Sequence, residues 1–473
     1  MISHEDIKNL VSEWGLREDI IEKDYVIGWV LWGIGSDPTI SHRWVFKGGT
    51  CLKKCYIETY RFSEDLDFTV LLEGPIKPEE LLPIFDRILS RVNEESGIDF
   101  SVAAPKFKQR ESSLSVEGRI YYRGPRNTPS PSSVKLDISA EERVVRPPVL
   151  REISHPYKDE LPSPAQIRCY AFEEVFAEKI RAMGERSRPR DLYDIVNLFR
   201  RRDLQIAPKL IQSVLIKKCK VKEIPVPTFA SIESSPYREE LHGEWENMLG
   251  HQLQVLPPFQ QFWEELPRLF NWLEGTYIPE KLASIPVQKD EDTTWSPPPT
   301  SWNWGLGIPL ESVRFAAVNQ LYIELEYRKQ GHYVNHYLIE PYSLRRTKKN
   351  NLILHAIKAD TQEHRAFRVD WIQSIKVSTK PFKPKYQIEF SPTDSIEALP
   401  TPRKSELSFS SKRFLSGWRS SRAHFGPTYI FKCSYCGRRF KKSKDDSTLR
   451  PHKDKNGYDC PGRTSYLVET RYD

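Results

Sequence analysis

The stretch VFKGGTCLKKCYIETYRFSEDLDFTV, residues 45–70, decides how the rest of the chain is read. It opens in a β-branched and aromatic run, WVFK (44–47), which ends at Lys47. Gly48 and Gly49 then form a turn without Cβ atoms, and a helix begins near Thr50. Such a turn lets backbone N–H groups approach phosphate oxygens at a helix N-terminus. Fifteen positions after Thr50 comes Asp65, then Asp67, in LDFTV (66–70) and its lead-in. That run reads as a strand, so period two puts both carboxylates on one face while Leu66 and Phe68 point into the core. Two acidic oxygens side by side make a hard-cation site. Magnesium takes a few carboxylates plus substrate phosphates, and two such ions can clamp the attacking and leaving oxygens of an in-line displacement.

A carboxylate cluster of this kind calls for a third member, and Asp137 in VKLDIS (134–139) is the best candidate. Val134, Leu136 and Ile138 fill one face of that strand, which leaves Lys135, Asp137 and Ser139 on the other. Further on, AFEEVFAEKIRAMGERSRPRDLYDIVNLFRR (171–201) reads as two helices. The first turns Phe172, Val175, Phe176 and Ile180 inward, the second Leu192, Ile195, Val196 and Phe199. Their polar residues of interest are Lys179, Arg181, Asp191 and Asp194. A lysine so placed can neutralise a triphosphate as charge builds in a transition state. It can equally be a snorkelling surface residue, with Asp191 an N-cap.

At 473 residues and 38% apolar the chain can bury more than one core, and three domains is a fair expectation. Residues 1–275 alternate helical patterns with short β-rich runs and close in helices. Charges and consecutive prolines make 276–305 a linker. In 306–400, LYIELEY, HYLIEPYSL, NLILHAI, FRVDWIQSIKV and YQIEF predict a small β-barrel. A Ser- and Arg-rich stretch (401–424) leads to a Cys/His module at 425–473. The fold class expected is therefore α+β, with two smaller modules after the first domain. No run approaches the roughly 20 apolar residues that span a bilayer, and the first residues do not look like a signal peptide, so a cytoplasmic protein without a membrane partner is expected.

The formal charge of +7 hides an asymmetry: residues 301–473 hold 31 Lys/Arg against 17 Asp/Glu, leaving 40 against 47 upstream. Basic charge at one end points to nucleic acid. Seven cysteines, an odd number, argue against a disulfide framework. Cys433, Cys436, His452 and Cys460 form two knuckles that can close a tetrahedral structural zinc site. Arg438, Arg439, Lys441, Lys442 and Lys444 crowd the same module and suit a nucleic-acid backbone. Cys51, Cys55, Cys169 and Cys219 read as buried apolar residues.

KGGT followed by RFSEDLDF, a KLDIS strand, FAEKIRA and RDLYD, with IEKDYVIGWVL (21–31) ahead of them, resembles the AbiEii/AbiGii family of nucleotidyltransferase toxins over roughly residues 15–275. The resemblance implies a DNA-polymerase-β-like core, the toxin of a type IV toxin–antitoxin or phage-exclusion system. It also implies transfer of a nucleoside monophosphate (NMP) from an NTP to an RNA, a tRNA 3′ end above all, and a cognate antitoxin as a possible partner. Carried over by position, Gly48, Gly49 and Thr50 would contact the triphosphate, Asp65 and Asp67 the magnesium ions, and Lys179 the phosphates. Asp191 and Asp194 would complete the pocket, and Asp137 would join the metal ligands. Residues 315–390 resemble a WYL domain, although Leu352, Ile353 and Leu354 replace the namesake tripeptide and Trp371 stands where an arginine is usual. This implies a nucleic-acid or nucleotide sensor in which Arg345, Arg346, Arg365 and Arg368, with Tyr342, bind phosphates and bases. The competing expectation is an inactive WYL-type regulator that keeps the first fold as a scaffold.

Overall fold

The computed structural model describes every residue except 58–60, 111–113, 202–206, 296–309, 329–332, 391–426, 434–435, 437, 443–448, 450–451, 454–458, 462–463 and 473. The Ser- and Arg-rich stretch at 401–424, the end of the expected linker and Lys444 lie outside the described residues. Two compact units emerge, Met1–Arg403 and Lys404–Asp473.

The first unit opens with α1 (His4–Trp14) and α2 (Glu18–Gly35). Ser3 and Asp6 cap α1 reciprocally, and Gly15, with φ of +65°, ends it. Helix α2 is buried nearly all round and works as a hub, because its Glu-Lys-Asp-Tyr tetrad sends each side chain to a different element. Glu22 accepts from the Arg126 N–H (2.8 Å), and Lys23 pairs with Glu64 (2.6 Å). Asp24 takes the buried Lys54 ammonium (2.6 Å) and the Tyr157 hydroxyl (2.8 Å), while the Tyr25 hydroxyl donates to Asp159 (2.6 Å). Buried charges persist only when paired in this way, so the tetrad records tertiary contacts rather than helix propensity.

Strand β1 (Trp44–Lys47) runs into α3 (Gly48–Cys55), and the chain returns as β2 (Asp65–Val70) antiparallel to β1. Next come α4 (Pro78–Ser96), β3 (Lys106–Gln109), β4 (Ser115–Tyr122), β5 (Ser132–Ser139), β6 (Val149–Glu152) and β7 (Gln166–Cys169). They form one mixed sheet in the order β3-β4-β5-β2-β1-β7-β6. Alternation along the strands separates its faces. Trp44, Phe46, Leu66 and Phe68 enter one core together with residues of α2 and α4. Val45 belongs to the other core, among the helices that follow.

Those helices are α5 (Phe172–Arg186), α6 (Pro189–Arg200), α7 (Pro208–Val221), α8 (Phe229–Glu233), α9 (Arg238–Gly243), α10 (Trp245–Leu249), α11 (Phe259–Trp263) and α12 (Leu266–Glu274). Every apolar position expected to face inward on α5 and α6 is buried. Helix α13 (Leu310–Val318) continues this core: Ser312 accepts from Gln254 (2.6 Å), and the Tyr193 hydroxyl donates to Asn319 (2.8 Å).

A five-stranded antiparallel sheet follows, built from β8 (Leu321–Arg328), β9 (Val334–Arg346), β10 (Leu352–Lys358), β11 (His364–Arg368) and β12 (Ile372–Pro381), in the order β11-β10-β9-β8-β12. Among the described residues its ladder runs from β11 to β12. YQIEF (386–390), expected as a strand, joins no ladder. It lies extended, with Gln387 donating to the Ala283 carbonyl and Glu389 to that of Tyr342. Residues 283–295, expected within a linker, instead form a strap along β9. Ile285 is buried with Tyr342, Ile357 and Phe382, and the Asp292 N–H donates to the Arg346 carbonyl (2.8 Å).

The second unit holds a three-stranded sheet of β13 (Pro427–Cys433), β14 (Arg439–Lys442) and β17 (Ser465–Tyr472), and a ribbon of β15 (His452–Lys453) and β16 (Asp459–Cys460).

Candidate active site and cation sites

Register brings the predicted acids together. Lys47 on β1 is the partner of Asp67 on β2, and Asp67 is in turn the partner of Asp137 on the parallel strand β5. Partners across a ladder share a face, and Asp65, two residues along, shares it too. The carboxylates of Asp65, Asp67 and Asp137 thus stand half-buried on the face opposite the α2 and α4 core.

Their electrostatics fit a cation site. Burial pushes Asp67 up to about 6, and the like charges of Asp137 and Asp65 add to it against the pull of Lys47 and Lys179. Burial also raises Asp65, with Asp137 and Glu64 adding to it and Lys135 and Arg190 opposing. Asp65 and Asp67, raised by burial and by the carboxylates beside them, are poorly compensated by the protein alone, which is the condition a divalent cation relieves. Asp137 is meanwhile held by Arg110 and by Lys135 (3.3 Å).

The turn between β1 and α3 fits closely over this cluster. Gly48 has φ of +81°, and a Cβ there would fall 2.2 Å from Asp67 Oδ2; one on Gly49 would fall 2.8 Å from Arg61 Nη2 and 3.0 Å from Ser63 Oγ. Glycine is required twice at Gly48, by the backbone angle and by the carboxylate beside it. Thr50, expected at the triphosphate, is fully buried. Its hydroxyl donates to the Asp65 carbonyl and so ties α3 to β2.

Lys179, on α5, lies 2.6 Å from Asp194 and 3.7 Å from Asp191, both on α6 and both fully buried. Arg61 grips Asp194 with two bonds (2.8 and 3.0 Å), and Arg186 does the same for Asp191 (2.7 and 2.9 Å). Burial would raise Asp194, but the Arg61 guanidinium and the Lys179 ammonium hold it at about 2. The two α6 acids therefore position Lys179 and Arg61.

From the sequence Arg61 has no assigned role and Lys47 is only the last residue of a strand, although both lie inside motifs read for other residues. Glu142, which binds Lys47 Nζ and accepts from the Tyr170 hydroxyl (3.3 Å), has no sequence signal.

On the five-stranded sheet all four arginines expected to meet phosphate have protein partners. Arg345 pairs with Glu291 (2.9 Å) and Glu389 (3.1 Å), and Arg346 with Asp292 (2.6 Å). Arg365 donates to the Tyr337 hydroxyl (2.8 Å), and Arg368 bonds Asp370 (3.0 Å). Tyr342 is fully buried, with its hydroxyl donating to Glu340 (2.7 Å). In the second unit, Cys433 Sγ lies 3.9 Å from Cys460 Sγ, and Cys436 Sγ 3.4 Å from His452 Nε2. Tetrahedral zinc with bonds of about 2.3 Å to sulfur and about 2.0 Å to nitrogen sets separations near these values, so the four donors fit that ion. Arg438 and Arg439 are exposed.

The family model described as nucleotidyl transferase AbiEii toxin, type IV toxin–antitoxin system, matches residues 29–265, and the WYL domain model matches residues 310–377. No curated protein matches the chain. Among solved structures, the nucleotidyltransferase toxin MenT4 of Mycobacterium tuberculosis is 19% identical, with 58% of this chain and 90% of that one covered at a TM-score of 0.42. Proteasome accessory factor B/C of Arthrobacter aurescens is 10% identical, with 78% and 74% covered at a TM-score of 0.15. No helix among the described residues is long and apolar enough to cross a membrane.

Proposed function

The chain belongs to the AbiEii family of nucleotidyltransferase toxins, and we propose that it moves NMP from an NTP to an RNA 3′ end, by preference that of a tRNA, with magnesium as cofactor. The observation that carries this is the ladder of acids, Asp65, Asp67 and Asp137, beneath the Gly48 turn.

In this mechanism the N–H groups of the turn at Gly48 and Gly49 cradle triphosphate oxygens at the start of α3. Asp65 and Asp67 would hold magnesium, and Asp137, now paired with Arg110 and Lys135, would join them on leaving Arg110. When bound, magnesium polarises the reacting oxygens and offsets the charge on the phosphates. The 3′-hydroxyl loses its proton to solvent as its oxygen attacks the α-phosphorus in line; a new P–O bond forms there while the bond to the α–β bridging oxygen breaks, and pyrophosphate leaves. Lys179, held by Asp194 and Asp191, and Lys47, beside Asp67, lend positive charge as it leaves. The exposed Arg438 and Arg439 are suited to an RNA backbone, and the Cys433, Cys436, His452 and Cys460 set would hold structural zinc. Release of Arg345 and Arg346 from the strap would add a second phosphate-binding surface. A cognate antitoxin would be the natural protein partner.

The test incubates the protein with magnesium, each α-labelled NTP and total RNA, beside an Asp65→Ala/Asp67→Ala variant. Label should enter RNA only with the intact pair, in the tRNA size range. Label in protein or in a small molecule would overturn the RNA acceptor, and no label anywhere would leave the scaffold role.

A further inference from the structure

Three cysteines that play no part in the catalytic proposal meet directly behind its phosphate-binding turn. Cys51 and Cys55 stand one turn apart on α3 and leave the same face of the helix. Cys169 ends β7, next to Phe46 of β1. The three sulfurs lie within 4.8 Å of one another, and all three residues are buried. Cysteine acting only as a small apolar residue needs no such convergence from a helix and a strand.

A metal bonded to three sulfurs at about 2.3 Å in a plane sets them about 4 Å apart, which these residues reach with little movement. The Tyr56 hydroxyl lies 3.7 Å from Cys169 Sγ and donates to the Tyr170 carbonyl. Positive charge stands close by: the Arg151 guanidinium lies 5.0 Å from the Tyr56 ring centroid and donates to the Cys55 carbonyl (3.1 Å).

We propose that Cys51, Cys55 and Cys169 form a binding site for a soft, thiophilic cation, copper(I) in preference to zinc(II), that ties α3 to β7. Thiolates select these ions, and a set of three with no fourth Cys, His, Asp or Glu beside it among the described residues suits copper(I) better than zinc, whose structural sites take four ligands. Each thiol that becomes a ligand gives its proton to solvent, so binding releases protons and tightens as pH rises. An ion there would fix the helix whose first turn carries Gly48 and Gly49.

The test uses the full chain with the second unit's cluster disarmed by Cys433→Ser/Cys436→Ser, kept anaerobic with a reductant. It is offered copper(I) as its bicinchoninate complex, or zinc(II) in a parallel arm. The disarmed chain should withdraw copper(I) from the chelator at one ion per chain, and adding Cys51→Ala/Cys169→Ala should abolish this. Should that variant misfold, alkylation mapped by mass spectrometry on the disarmed chain decides: copper(I) should protect Cys51, Cys55 and Cys169 together and leave Cys219 unchanged. No uptake by the disarmed chain, uptake that survives the Cys51→Ala/Cys169→Ala change, or unaltered alkylation of the three would overturn the site. Uptake of zinc(II) alone would overturn the preference for copper(I).

Discussion

Gly48 and Asp67 compete for one small volume, since a methyl group on the first would fall 2.2 Å from a carboxylate oxygen of the second. Gly48→Ala should therefore cost about 1–3 kcal/mol from backbone strain at positive φ, and about 10²-fold in nucleotide transfer by displacing the acid. Urea melts and transfer assays check this, and a variant with full activity would remove Gly48 from the site. Lys179→Met should lower transfer by about 10²–10³-fold, as loss of a charge aimed at the transition state does. Its stability cost should fall below the ~3–5 kcal/mol of stranding a buried ion, because Arg61 still holds Asp194 with two bonds. A variant that unfolds instead would make Lys179 structural. Most of this site was legible in the chain, because glycine spacing and strand period are local properties. The duty of Asp191 and Asp194 was not, because their partners Arg186 and Arg61 meet them only through packing.

Among the elements, β10 buries a histidine whose protonation should make the stability of its own sheet depend on pH. His355 is fully buried and stacked on His364 (2.9 Å between ring nitrogens), with Glu291 and Arg345 facing the pair. Burial, and then the charges of Arg345 and His364, push it down to about 3. The unfolded chain takes up a proton below about pH 6.5 that the folded one refuses, so this stability is complete above that pH. It is lost as pH falls, by about tenfold in the folding equilibrium per unit, down to about 3. Melting between pH 7 and pH 5 should show this slope, and His355→Leu should flatten it; equal slopes in both proteins would refute it. The strands of this sheet were readable from alternation, whereas the strap at 283–295 was not. Its prolines and charges look like solvent-seeking chain, and the arginines of β9, with His355 of β10 beside Glu291, explain why Glu291 and Asp292 stay with the protein.

For the whole molecule, the second unit should depend on its ion. Chelation of zinc, or Cys436→Ser, should raise hydrogen exchange across 427–472 and leave the melting of residues 1–403 unchanged, as expected where metal binding supplies the folding energy. Protection retained after chelation would make the four residues a packed cluster. Composition, strand and helix period, glycine turns and cysteine spacing pointed on their own to the order of the modules, the candidate acids and the candidate zinc ligands, because each of these signs is local; that Asp137 stands beside Asp67 follows from the pairing of β2 with β5. The tertiary structure alone decided which arginines are held by acids, that α13 completes the core of the helices ahead of it, and that Cys169 meets Cys51 and Cys55. Those contacts join residues far apart in sequence, and no local period encodes a meeting that depends on how separate elements pack.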